Sequence, residues 1–338
     1  MRTIRPSLLS LAVLAALSFA PRAQAAAFSD VPPGHAAYDA VEYLKAQGIV
    51  SGYDDGTFRP DQKVNRAEAL KLIVAPIATR GQLNGYTTSS YDDVAKGAWF
   101  LPYVEWARQR MGLIDGPPNA TAFNPSRNVT KIEFLKMFLL SQEVDAAGAF
   151  GEIKLPLATD VTDTGQWYYP YMRYAITASM TLVSQQGTLN PAQALNRGQI
   201  AMMMYRFFLY EDGERTQALV NEVDSEISNV ARSLQKNDIT QAEYASARAL
   251  LAARGALEAA PNEPLVKGTV KAAEAFRLIV RAYRAGISQK FQEAIDLSKQ
   301  AWDLGNAARG FSSHLHANAD QIQTFAKSIA DEARKWVK

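Results

Sequence analysis

Three stretches of this chain repeat one another, and that self-similarity constrains the fold before any local propensity does. Asp30-Val31, Asp93-Val94 and Asp160-Val161 open them, 63 and then 67 residues apart. Each opening leads into an aromatic-rich pattern with the spacing of a helix face: Tyr38, Val41 and Leu44; Trp99, Tyr103 and Trp106; Trp167, Tyr171 and Tyr174. Gly48 and Gly112 follow where a helix C-cap with positive φ favours glycine, and the third stretch has Ser179 there. A turn then ends in Phe58-Arg59-Pro60, Phe123-Asn124-Pro125 and Leu189-Asn190-Pro191.

Six residues beyond each proline stands a cation, Arg66, Lys131 or Arg197, at 36, 38 and 37 residues from the opening aspartate. It lies in Asn65-Arg66-Ala67-Glu68, Thr130-Lys131-Ile132-Glu133 and Asn196-Arg197-Gly198-Gln199. Asn or Thr three residues before Glu or Gln is a capping box, which assigns Asn65, Glu68, Thr130, Glu133, Asn196 and Gln199 to helix capping. The cation is left over. At the first helical position it meets the positive end of the helix dipole, which disfavours it by about 0.3–1 kcal/mol. Three cations at such a position point to an anion, since helix-start N–H groups with Arg or Lys form a receptor for carboxylate or phosphate. Three solvated surface charges are the plain alternative.

From about Glu214 the texture changes to alanine- and charge-rich sequence. Leu219, Val223, Ile227, Val230 and Leu234 step by four, four, three and four, an amphipathic helix. Comparable patterns run through residues 241–260, through Val266, Val270, Ala273, Phe276 and Val280, through 289–304, and through Ile322, Phe325, Ile329 and Trp336. Breaks are expected at Asn237-Asp238, Pro261-Asn262-Glu263-Pro264 and Gly286. A bundle or short solenoid of about five helices is predicted over 214–338; no 34-residue self-similarity marks it as a tetratricopeptide array.

A chain of 338 residues exceeds the usual single domain. Arg2 and Arg5, the apolar run from Leu8 to Ala20, and Ala23-Gln24-Ala25 read as a secretory signal peptide over residues 1–25. The run falls short of the roughly 20 apolar residues that span a bilayer, and no later segment suggests a transmembrane helix in the mature protein. Without Arg2, Arg5 and Arg22 the formal charge passes from +2 to −1, so bulk charge supports no nucleic-acid partner. The absence of cysteine excludes disulfides and thiolate chemistry. His314 and His316 without a third ligand make a weak metal pair, and the Asp54-Asp55-Gly56 turn lacks the spacing of a calcium loop, so neither metal nor cofactor is expected. No nucleophile elbow, phosphate-binding glycine loop or His-Glu-x-x-His is present, and a non-enzymatic role is expected.

Residues 28–77, 91–140 and 158–209 resemble S-layer homology domains. The first copy carries the resemblance through Gly48-Ile49, Gly52-Tyr53-Asp54-Asp55-Gly56-Thr57-Phe58-Arg59-Pro60 and Asn65-Arg66-Ala67-Glu68. The resemblance implies a mainly α fold in which three repeats form a pseudo-threefold unit with grooves between neighbours. It also implies non-covalent anchoring of an exported protein to the cell wall, cell surface or periplasm. The implied ligand is a secondary cell-wall polymer bearing anionic, often pyruvylated, amino sugars, or a peptidoglycan-linked glycan. The tetrapeptide cation would contact that sugar, which carries over to Arg66, Lys131 and Arg197.

Lys131 lacks the planar fork that clamps a carboxylate, and the third copy lacks the Asp-Gly-Thr-Phe turn, so the expected order of binding is Arg66, Arg197, Lys131. Tyr43, Trp106 and Tyr174 are expected in the core. Trp99 and Trp167, each just ahead of its helix, are equally suited to core or to stacking on a sugar, and Tyr168 and Tyr169 are further stacking candidates. The helical half would then project as a spacer or as a docking surface for an unidentified protein. Two other classes stay open: a protein–protein scaffold with purely structural repeats, and a wall-directed glycan hydrolase, which needs only two carboxylates.

Overall fold

A computed structural model describes residues 26–114 and 121–337; the expected signal peptide at 1–25 lies outside the described residues. The fold is mainly α. Each repeat is a helix, a turn and a second helix: α1 (Tyr38–Ala46) and α2 (Arg66–Val74), then, after a short α3 (Arg80–Leu83), α4 (Leu101–Met111) and α5 (Lys131–Ser141), then α6 (Tyr169–Thr177) and α7 (Arg197–Glu211). Beyond the first helices the chain reverses through a left-handed residue in all three copies, Gly48 at φ 69°, Gly112 at 57° and Ser179 at 55°. Glycine adopts this freely, whereas serine does so at a cost of about 1–2 kcal/mol. The Ser179 hydroxyl is held by the Glu222 carboxylate and by Arg215.

The opening aspartate closes each repeat. Asp30 accepts from the N–H groups of Phe58 and Arg59, both at 2.7 Å. Asp93 accepts from Phe123 and Asn124 at 2.7 and 2.6 Å, and Asp160 from Leu189 and Asn190 at 2.9 and 2.7 Å. These carboxylates satisfy adjacent amides at the point where the chain turns left-handed before proline, at Arg59, Asn124 and Asn190.

The second helices then lock the repeats into a ring. The Arg66 N–H donates to the Arg127 carbonyl at 2.9 Å, Lys131 to Gln193 at 2.8 Å, and Arg197 back to Gln62 at 3.0 Å. Isolated β-bridges join Asn65 to Asn128, Thr130 to Ala194 and Asn196 to Lys63. Each second helix therefore begins against the proline loop of the next repeat, and the third returns to the first. The first helices pack outside, α4 on α2, α6 on α5 and α1 on α7. The buried interior includes Leu70, Ile73, Phe134 and Phe138, with the Phe138 ring edge-to-face on Phe207 of α7 at 5.1 Å.

Five further helices follow among the described residues: α8 (Thr216–Gln235), α9 (Ile239–Ala259), α10 (Pro264–Ile287), α11 (Phe291–Arg309) and α12 (His316–Arg334). Each packs on the next, and α10 also touches α8 and α12. The break expected at Gly286 comes slightly later, because α10 runs on to Ile287 and the chain reverses at Gln289, φ 60°. Trp336, expected on the last helix face, lies beyond α12 and stacks on Phe291 at 6.1 Å.

This half packs directly against the third repeat. Only Asp212–Arg215 separate α7 from α8, α9 packs along α6, and one hydrophobic core runs through both halves. Gly255 makes the close approach possible: a Cβ there would fall 2.1 Å from the Thr177 carbonyl oxygen. The buried Arg248 fixes the junction, donating to the Leu157 carbonyl at 2.6 Å and clamping Glu226 at 2.7 and 2.8 Å.

Candidate functional site

The three capping-box tetrapeptides sit at the seams of the ring. Asn65 accepts from the Glu68 N–H at 2.9 Å while Glu68 accepts from the Asn65 N–H at 2.9 Å, and Thr130 with Glu133 and Asn196 with Gln199 repeat the exchange. The helix-start amides are not left for an outside anion. Besides the first amide of each helix, the second donates to the neighbouring loop: Ala67 to Pro125 at 3.2 Å, Ile132 to Pro191 at 3.0 Å and Gly198 to Pro60 at 2.8 Å. The third is taken by the cap side chain. The first three amides of each of these helices thus have partners within the protein, and side chains are left to face the grooves.

The cations themselves cross the seams. Arg66 Nε donates to the Phe123 carbonyl at 2.9 Å, Lys131 Nζ to Leu189 at 2.7 Å, and Arg197 Nε to Phe58 at 2.8 Å. A cation at the first helical position is tolerated because a carbonyl of the next repeat, rather than solvent, receives it. Burial is the main influence on all three and lowers their pKa, though a guanidinium stays charged throughout.

Beyond that shared bond the grooves differ. In the first-to-second groove Arg66 also pairs with Glu133 at 3.1 Å, and Arg127 pairs with the same carboxylate, so two guanidinium groups share one acid. In the second-to-third groove Lys131 is buried, and leucine replaces the phenylalanine whose ring the other cations face. In the third-to-first groove Arg197 has no carboxylate within ion-pair distance among the described residues. Its second contact is the Ser51 carbonyl at 3.3 Å. The Tyr53 ring lies 5.1 Å from the Arg197 guanidinium and 3.8 Å from that of Arg59, so cations from two repeats converge on one aromatic face.

Trp99 and Trp167 resolve as surface residues, 53% and 57% exposed. Each is met by a lysine of the preceding repeat, Lys71 at 5.6 Å and Lys136 at 5.9 Å from the ring centre. Trp106 and Tyr174 are buried, and Tyr43 packs on Tyr205 and Phe208. Tyr169, a stacking candidate by sequence, is a core residue whose hydroxyl donates to the Leu155 carbonyl at 2.7 Å. His314 and His316 lie exposed on either side of buried Leu315. Sequence reasoning missed the pairing role of Arg59, Glu133 and Arg127; Glu133 stood in a capping box, but Arg59 and Arg127 are replaced by Asn or Gln at the equivalent positions of the other copies, so no repetition marked them.

The model of the S-layer homology domain matches residues 27–70 and 90–135, the first two of these units. These two units are S-layer homology domains. The third unit repeats their aspartate clasp, capping box and cross-seam cation. The chain is similar to Cell surface glycoprotein 1 of Acetivibrio thermocellus, 27% identical over 166 residues, covering 47% of this chain and 7% of that protein. It is similar to the Surface-layer 125 kDa protein of Lysinibacillus sphaericus, 25% identical over 227 residues, covering 66% of this chain and 18% of that one. It is similar to the Cellulosome-anchoring protein of Acetivibrio thermocellus, 30% identical over 118 residues, covering 34% of this chain and 26% of that one. The chain thus spans only a minor part of the length of these relatives. Their kind and the repeats place it at the cell surface or cell wall, and no helix among the described residues is long and apolar enough to cross a membrane.

Proposed function

We propose that the three repeats anchor the protein non-covalently to the cell wall by holding an anionic wall glycan in the grooves between them, a binding role rather than a catalytic one. The observation that carries this reading is Arg197: a half-buried guanidinium, positioned by the Phe58 carbonyl, aromatic on one side, and with no carboxylate within ion-pair distance among the described residues. Such a group has charge-assisted hydrogen bonds to offer a sugar carboxylate, pyruvate ketal or phosphate. The groove of Arg66 comes second because Glu133 already occupies its cation, with Trp99 and Lys71 as the exposed aromatic and charge of the first-to-second seam. Lys131 comes last, with its ammonium buried on a carbonyl, although Trp167 and Lys136 repeat the exposed pair at that seam. The similarity to an anchoring protein of another bacterium supports the same reading.

Cosedimentation with purified sacculi, intact and stripped of secondary polymer, tests it. Wild type is expected to pellet with intact sacculi only, and Arg197→Gln combined with Arg59→Gln to bind about tenfold more weakly, the loss of one charge-assisted contact set. Equal binding by wild type and the double variant rejects the charged groove. No binding by wild type rejects the anchor.

A further inference from the structure

A cleft of ≈ 610 Å³ opens where the third repeat meets the helical half. That volume falls within the roughly 300–1,000 Å³ of small-molecule sites. Three walls build it, and the sequence of each explains the space.

The first wall is the turn of the third repeat. Its backbone reproduces that of the first repeat: Ser184 N–H donates to Thr188 at 2.8 Å as Tyr53 does to Thr57 at 2.8 Å, and Gly187 at φ 78° matches Gly56 at 77°. The absent Asp-Gly-Thr-Phe motif is therefore a change of side chains on a conserved turn. In the first repeat Asp55 is spent on Thr57 and Arg59. In the third, Ser184 Oγ holds the turn by accepting from the Gln186 and Thr188 amides, both at 3.2 Å, so Gln185 and Gln186 line the cleft as neutral amides.

The second wall is α8, which carries two stripes. Leu219, Val223, Ile227, Val230 and Leu234 are buried. Glu222, Ser225, Glu226, Asn229 and Ser233, at spacings of three, one, three and four, line the cleft. The third wall is Gln241, Ala245, Arg248 and Ala252 of α9, again one stripe. Small side chains at 225, 233, 245 and 252 leave the space open. The Gln241 carboxamide reaches the turn, with its oxygen 3.4 Å from where a Cβ on Gly187 would stand.

The buried charges here are satisfied inside the protein, while Arg232, an exposed lining residue, donates to the Asn229 carboxamide oxygen at 3.3 Å. Arg248, 5% exposed, clamps Glu226 with two donors, and Glu222 is held by Arg215 and Ser179. Amides, hydroxyls and the remaining donors of Arg232 are left with hydrogen bonds to give. Gln186 and Gln241 offer both amide donors and an acceptor, and Asn229, which donates to Glu226 at 3.1 Å and accepts from Arg232, keeps one donor and one lone pair; this suits sugar hydroxyls and an acetamido group, and Ile176, Ala245 and Ala252 offer an apolar seat for its methyl.

We infer that this cleft is a second binding site, specific for an N-acetylated amino sugar, and distinct from the grooves between repeats. Gln186, Asn229 and Gln241 hydrogen-bond the sugar, and the Glu226–Arg248 pair forms the rigid floor that positions them.

The test is a titration of the full chain with N,N′-diacetylchitobiose, followed through the side-chain amide resonances in heteronuclear NMR. Saturable shifts at Gln186, Asn229 and Gln241 are expected. Asn229→Ala and Gln241→Ala should each weaken binding several-fold with melting temperature unchanged, and Ala245→Leu should abolish it by filling the space. Arg197→Gln should leave the titration unchanged, since that residue belongs to the grooves. The inference is overturned by any of three results: no saturable shift up to the solubility limit, equal binding of cellobiose, which lacks the acetamido groups, or Asn229→Ala and Gln241→Ala variants that bind as wild type.

Discussion

Arg197 Nε donates to the Phe58 carbonyl at 2.8 Å across 139 residues of sequence, and this bond seals the ring where the third repeat returns to the first. Its removal leaves a half-buried carbonyl without a partner, beside an aromatic face with one cation fewer. Arg197→Met keeps the apolar stem and is expected to lower stability by about 1–3 kcal/mol. The urea midpoint should fall with the m-value unchanged, the signature of a weaker native state rather than a changed unfolding unit.

The aspartate clasps are expected to matter alike in all three repeats. Asp160→Ala removes the acceptor of two adjacent amides and should cost about 1–3 kcal/mol. Asp160→Asn keeps one acceptor oxygen and should recover part of that loss, which equilibrium denaturation of the two variants will show.

Acid should weaken the first-to-second seam. Burial, the largest influence on Glu133, raises its pKa, but hydrogen bonds from Arg127 and Thr130 and the charge of Arg66 outweigh it and bring it below the ordinary carboxylate value. A depressed folded-state pKa gives stability that is complete above the unfolded value, about 4.3, and is lost as pH falls through the folded one. Glu133→Gln should therefore be less stable than wild type at about pH 6, and the gap should narrow towards about pH 3, measured by urea unfolding at both.

The junction of the two halves rests on close backbone packing. Gly255→Val places a branched side chain where even a Cβ would meet the Thr177 carbonyl oxygen at 2.1 Å, and should destabilise by about 1–3 kcal/mol as α9 is pushed off α6. Gly81→Ala, in α3 with nothing within 4 Å of the added carbon, is the control and should change the melting temperature little.

Features set within one turn of helix were legible without a structure. Asn65 and Glu68 are three residues apart, and their capping exchange follows from that spacing alone. Gly48 and Gly112 announced left-handed reversals, and the apolar steps from Leu219 to Leu234 announced α8. The role of Tyr169 was not legible, because an aromatic at helical spacing looks the same whether it faces solvent or, as here, the Leu155 loop.

The sequence by itself determined that three equivalent helix–turn–helix units exist and where each places a cation, because both are written in short-range spacing repeated three times. Only the tertiary structure decided what each cation meets. Arg66 faces Phe123 rather than its own repeat's Phe58, and Glu133 neutralises it. Arg197 faces Phe58 with no carboxylate within ion-pair distance among the described residues, in a groove assembled from the copy with the altered turn and the copy with the intact one. The partners across a seam lie 57 to 139 residues apart, and no local periodicity encodes which loop a helix start will meet. Closure of the ring sets that choice, by letting each helix start satisfy its backbone donors on the next repeat.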